Sequence, residues 1–182
     1  APSAPGGPRI AGCGRSKVGP VTTFSVSFLG CKVSHADAHA VRERLLADGH
    51  EERDAGAADV AVVNTCCVTN EAVAKSRKTA ARLARTHGRV YVTGCGANLG
   101  SDAFHGLPDN VHVVDRRAEE TPAIVAGDVG AIGCVQADAR LDRVRAFVKV
   151  QDGCSFTCSY CVIPLVRGRS RSRAADAVVG EV

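Results

Sequence analysis

The sequence predicts an α/β chain: a parallel sheet covered by helices, followed by the opening of a second βα unit. Three observations predict it. Short apolar runs at residues 22–29, 60–63, 90–93 and 111–114 alternate with longer polar stretches bearing apolar residues at helical spacing. The runs read as strands buried on both faces, as parallel strands are. Beyond three of them stand Cys31, Cys66 and Cys95, at the strand ends where ligands collect in such sheets.

Residues 1–20 are rich in Pro, Gly and Ala and lack a continuous apolar core, so they read as a disordered tail, not a signal peptide. Ile10-Ala11-Gly12-Cys13 looks like a lipoprotein cleavage site, but no apolar segment precedes it. The first strand, residues 22–29, stops at Gly30-Cys31. Ser34 is expected to cap a helix over 36–47, with Val41 and Leu45 on one face and Gly49 as its stop. A second strand ends at Asn64-Thr65-Cys66-Cys67, and Asn70 is expected to cap a helix whose stripe is Val73, Ala80, Leu83 and Ala84. Gly88 ends that helix. A third strand then ends at Gly94-Cys95, followed by a weaker strand at 111–114 and a short helix near Ala123.

Residues 115–143 mix charges and glycines without periodicity, which puts the domain boundary there. The expected divisions are a tail over 1–20, a first domain over 21–127, a linker over 128–143 and the start of a second domain over 144–182. In the second domain a strand at 144–150 delivers the loop Gly153-Cys154-Ser155-Phe156-Thr157-Cys158-Ser159-Tyr160-Cys161, and a helix begins after residue 174.

Composition bounds the function. The chain has 182 residues, with 45% hydrophobic and 23% charged, as in a soluble globular protein. No apolar run is long enough to span a bilayer. A net charge of +4 carries little meaning by itself. Met is absent even at position 1, so the chain reads as trimmed or as a fragment. Nine cysteines in a chain of this length do not make a disulfide scaffold, and a reducing cytoplasm leaves them open to metal.

Cys154, Cys158 and Cys161 sit at intervals of four and three, a loop that wraps one face of an iron-sulfur cubane and leaves one iron without a protein ligand. An open iron binds the amino and carboxylate groups of a small molecule. Zinc is disfavoured because no second cysteine pair or histidine pair follows to close a tetrahedron. Cys31, Cys66 and Cys95 are far apart in sequence, yet the architecture brings all three to one rim and so makes a second three-thiol site. The competing reading is that each fills a tight strand-to-helix turn as a small buried residue. Cys13, Cys67 and Cys134 stay unassigned. His35 and His39 follow Cys31 at helical spacing, as a Cys-His-His metal site or, more ordinarily, as a solvated helix face. Arg167, Arg169, Arg171 and Arg173 alternate, which on an extended segment sets them on one side as a contact for nucleic-acid phosphates; the bland reading pairs some of them with carboxylates or a cofactor.

Leu29-Gly30-Cys31-Lys32-Val33, Asn64-Thr65-Cys66, Thr93-Gly94-Cys95 and the stretch from Val148-Lys149-Val150-Gln151-Asp152-Gly153-Cys154 through Arg173 together resemble the methylthiotransferase family of radical S-adenosylmethionine enzymes. The resemblance covers residues 22–182. It departs at Ser34-His35-Ala36-Asp37, where the family usually has an Asn and a short acidic stretch, and at Cys67, where it usually has Thr.

The resemblance implies a Rossmann-like first domain and the first part of a radical S-adenosylmethionine partial barrel, with this chain an N-terminal fragment expected to be inactive alone. It implies two [4Fe-4S] clusters. One, on Cys154, Cys158 and Cys161 with Tyr160 beside it, holds and reduces S-adenosylmethionine. The other, on Cys31, Cys66 and Cys95, supplies or relays sulfur. The implied reaction adds a methylthio group to C2 of N6-threonylcarbamoyladenosine at position 37, in the anticodon loop of tRNA. The implied partners are that tRNA and a low-potential electron donor, with no membrane and a cytoplasmic location. The alternatives are an isopentenyladenosine tRNA or a ribosomal-protein aspartate as substrate, or a non-enzymatic iron-sulfur protein.

Overall fold

A computed structural model describes residues 21–130 and 147–181. The expectations for the 1–20 tail, for Cys13 and Cys134, for most of the linker and for residues 144–146 and 182 fall outside the described residues.

Five parallel strands form one sheet in the order β2-β1-β3-β4-β5. They are β1 (Thr23–Phe28), β2 (Glu51–Glu52), β3 (Val60–Thr65), β4 (Arg89–Gly94) and β5 (Val111–Val113). Four follow the apolar runs. The fifth, β2, was not expected, because two glutamates carry no strand signal. It is an edge strand held through main-chain groups, with Glu51 N donating to Thr22 O at 3.2 Å and Arg53 N to Phe24 O at 2.8 Å.

Both faces of the sheet are buried, as consecutive apolar positions in β3 require. Val60 and Val62 pack on one side with Phe24, Tyr91 and the helices α1 (Lys32–Ala47) and α4 (Thr121–Val129), through Val41, Leu45, Val125 and Ala126. Ala61 and Val63 pack on the other with α2 (Asn70–Leu83) and α3 (Cys95–Leu99), through Ala80, Leu83 and Ala97. This is the doubly covered, Rossmann-like α/β architecture, with a 3-10 turn at Ser101–Phe104.

Helix starts differ from expectation by a few residues. Cys31, not Ser34, is the N-cap of α1, with extended φ and ψ of −84° and 178°. Ser34 lies inside the helix, 1% exposed, with its hydroxyl 3.8 Å from the Cys31 sulfur. Thr69, not Asn70, caps α2, accepting from Ala72 N at 3.1 Å. α4 is longer than the short helix expected near Ala123, and runs past 127 to Val129.

After residue 147 no strand forms until β6 (Gln151–Asp152), which pairs antiparallel with β7 (Arg171–Ser172). Between them run the three-cysteine loop and α5 (Ile163–Arg167). α6 (Ala175–Val179) follows as expected.

Candidate functional site

The register of the sheet places three cysteines on one rim. Phe28 pairs with Asn64 and Asn64 with Thr93, so Cys31, Cys66 and Cys95 follow neighbouring strand ends at nearly equal distances. Gly94 makes the last turn possible. Its φ is +88°, and a Cβ there would stand 2.5 Å from Asn64 Oδ1 and 2.8 Å from Thr65 O. The sharp turn drops α3 against β3, where Thr65 Oγ1 donates to Thr93 O at 2.6 Å and accepts from Ala97 N at 3.2 Å. At the other strand junction the chain lies directly on Cys66: a Cβ on Gly30 would be 3.1 Å from the Cys66 Cβ.

These thiols differ in character. Burial pushes the Cys31 thiol up, but hydrogen bonds from the Ser34 backbone and hydroxyl and from the Val33 backbone, with the Arg167 charge, outweigh it and lower the pKa. Burial raises Cys95, and Arg167 opposes the rise by charge and hydrogen bond. Cys67 is pushed up to about 11, by burial first and then by Cys95 and Cys66. It packs with Cys95 and Val166 in a small apolar cluster, so it stands beside the rim as a protonated thiol.

The second three-cysteine set is anchored to this rim through α5, which begins two residues after Cys161. Val166 is 3% exposed against Cys67 and Cys95, and its carbonyl accepts from Asn98 Nδ2 at 2.9 Å. Arg167 then turns inward with a side chain only 8% exposed. Its Nη2 donates to Asp37 Oδ2 at 2.8 Å, its Nη1 to Asp152 Oδ1 at 2.9 Å and its Nε to Cys95 Sγ at 3.0 Å. Lys149 Nζ bridges the same carboxylates, at 2.6 Å from Asp37 Oδ1 and 3.1 Å from Asp152 Oδ2. Burial works against each charge, and the pairing wins: Arg167 and Lys149 are raised and Asp152 is lowered. Sequence reasoning missed this network. Its one local signal is Asp37, an acid on the same helical face as Ser34, Val41 and Leu45.

The arginine row is accordingly broken. It breaks at its first member: residues 163–167 are helical and Arg167 points into the protein, whereas Arg171 lies on β7. Arg171 reaches Glu119 at 3.1 Å, and Arg173 reaches Glu181 and the Lys149 carbonyl. Arg169 is exposed and has no side-chain partner among the described residues.

In the loop itself, Cys154 N donates to Gly168 O at 3.0 Å and Cys161 N to Cys158 O at 3.1 Å. Cys154 and Cys161 are half-buried and Cys158 is exposed, while Tyr160 is 91% exposed. All six predicted ligands are free thiols. His35 packs edge-on between the rings of Phe28 and Phe147, and His39 lies 3.6 Å from Glu43. Among the described residues no three His, Cys, Asp or Glu side chains are arranged to hold a single metal ion. Two separate trios of unpaired thiols, one with its sulfur already facing a cationic donor, form a donor set that suits thiolate-held iron-sulfur clusters.

The family described as Uncharacterized protein family UPF0004 matches residues 23–115, the sheet domain. The chain is 32% identical to threonylcarbamoyladenosine tRNA methylthiotransferase MtaB of Chlamydia pneumoniae, over 88% of this chain and 39% of that protein. It is 35% identical to MtaB of Bacillus subtilis, over 87% of this chain and 40% of the relative. It is 29% identical to ribosomal protein uS12 methylthiotransferase RimO of Microcystis aeruginosa, again over 87% and 40%. The chain thus spans about two fifths of the length of these relatives. With its sheet domain matched from β1 through β5, the chain belongs to the UPF0004 family.

Proposed function

We propose that the protein is a radical S-adenosylmethionine methylthiotransferase acting on N6-threonylcarbamoyladenosine in the anticodon loop of tRNA. The observation that carries this reading is the anchoring of one thiol trio to the other, through Arg167 between the Cys154 loop and Cys95. Cys154, Cys158 and Cys161 would hold one [4Fe-4S] cluster and Cys31, Cys66 and Cys95 the second. With S-adenosylmethionine bound, such a pair supplies one-electron chemistry, which suits an aromatic C–H bond that offers no acidic proton.

The chain's own residues have three tasks in this scheme. The Gly153 turn and the Gly168 carbonyl hold Cys154 in the mouth of the loop. The salt-bridge network fixes the loop against the rim, and the buried rim keeps water from Cys66 and Cys95. Tyr160 lies exposed beside Cys161, where S-adenosylmethionine would meet it, and the exposed Arg169, unpartnered among the described residues, is suited to a phosphate contact. Two of the relatives compared carry a tRNA activity in their names, which favours tRNA over a protein substrate. Among the described residues no helix is long and apolar enough to cross a membrane, and a cytoplasmic location with a low-potential electron donor completes the reading.

Anaerobic reconstitution tests it. The protein should bind about eight irons, as two four-iron cubanes, and Cys154→Ala should leave about four. Adding S-adenosylmethionine should change the EPR signal of the cluster lost in that variant. Zinc in place of iron, or no change with S-adenosylmethionine, removes the proposal. Mass spectrometry of a deletion strain then identifies the substrate: loss of the methylthio group from a tRNA nucleoside supports the tRNA reading, and loss from a ribosomal-protein aspartate replaces it.

A further inference from the structure

We propose that Arg167 is a positioning residue that raises the reduction potential of a cluster held by Cys31, Cys66 and Cys95 while tying that rim to the Cys154 loop; this rests on the reading of the rim as an iron-sulfur site. The geometry supports it at each nitrogen. Nη2 is held by Asp37 of α1, Nη1 by Asp152 of β6, and Nε is thereby aimed at Cys95 Sγ, at 3.0 Å. Three acceptors on three elements fix the plane of the guanidinium, which a rotatable ammonium cannot reproduce.

Lys149 supplies the second positive charge against the two carboxylates, so the four groups balance before any thiolate is counted. Reduction adds a negative charge to a cluster. An N–H donor to a ligand sulfur stabilises that extra charge, and hydrogen bonds to sulfur are a principal means by which proteins set cluster potentials. Because Arg167 ends the helix that follows Cys161, the same side chain makes the rim's potential depend on how the three-cysteine loop is seated.

The test is an anaerobic redox titration of the full chain carrying Cys154→Ala, so that only the rim is loaded, followed by EPR. Adding Arg167→Gln should leave about four irons per chain and move the midpoint to more negative potential. At a fixed poise the ratio of reduced to oxidised cluster should fall about tenfold, equivalent to about 59 mV for a one-electron couple. Arg167→Lys should recover only part of that shift. A residue with a purely structural role would lower melting temperature or iron content and leave the midpoint of the loaded cluster in place; an unmoved midpoint overturns the proposal. Should Arg167→Gln fail to fold, ¹⁵N-arginine labelling of the Cys154→Ala chain decides the matter. Pulsed EPR should find one arginine nitrogen coupled to the reduced cluster, and its absence overturns the proposal equally. A Cys154→Ala chain that binds no iron at the rim instead overturns the iron-sulfur reading, and this proposal with it.

Discussion

Asp37 and Arg167 are 130 positions apart in the chain, yet their side chains meet at 2.8 Å with 4% and 8% of their surfaces exposed. The pair joins the first helix of the sheet domain to the helix that follows the three-cysteine loop. Each partner is costly to bury alone, so the contact either forms completely or opens the junction.

Asp37→Ala is therefore expected to destabilise the cluster-free, reduced protein by about 3 kcal/mol, since it strands Arg167 and Lys149 with one carboxylate between them. Denaturant unfolding measures it. A loss below about 1 kcal/mol would place the pair with exposed ion pairs of little consequence.

Gly153 enters the loop at φ +74°, and a Cβ there would lie 2.3 Å from the Arg169 carbonyl oxygen. Gly153→Ala should cost about 1–3 kcal/mol of local strain and open the Cys154 to Gly168 hydrogen bond. Iron retained after reconstitution should drop by about half. Gly56→Ala is the control, because a Cβ there meets nothing within 4 Å. Equal iron in the two variants would contradict the role given to the turn.

Thr65 holds α3 in place with one hydroxyl, donating to Thr93 O and accepting from Ala97 N. Thr65→Val preserves shape and strands both partners, with an expected cost of about 1–3 kcal/mol. Thr65→Ser should recover most of it. Iron at the rim should follow the same order, because Cys95 is the first residue of α3.

Tyr91 gives a pH dependence unconnected with iron. Burial, then the hydrogen bond it donates to Asp128, raises its pKa from 10.0 to about 12, against the opposing effect of Arg89. A raised phenol pKa means the fold favours the neutral form. Its contribution is present below pH 10 and is lost as pH rises toward 12, to a total of about 2–3 kcal/mol. Melting temperature should fall more steeply over that window in the parent than in Tyr91→Phe. Parallel curves would refute the assignment.

The path from sequence to structure is uneven in an instructive way. The strands at 22–29, 60–63, 90–93 and 111–114 were legible because apolar runs of that length bury in only a few ways. β2 was not, because Glu51 and Glu52 join the sheet through main-chain atoms alone. The Ser34 cap failed because Cys31 already begins the helix, leaving Ser34 to point its hydroxyl at a sulfur.

By itself the sequence determined the α/β order and the placing of Cys31, Cys66 and Cys95 just past successive strands, since hydrophobic periodicity and parallel topology act locally and by rule. Only the tertiary structure decided what stands around those sulfurs. Alternation along an extended chain would have sent Arg167 outward with its neighbours, but a short helix turns it inward, to carboxylates from two distant elements and a thiol from a third. Such a contact leaves no local pattern, because its energy exists only when all the partners are buried together.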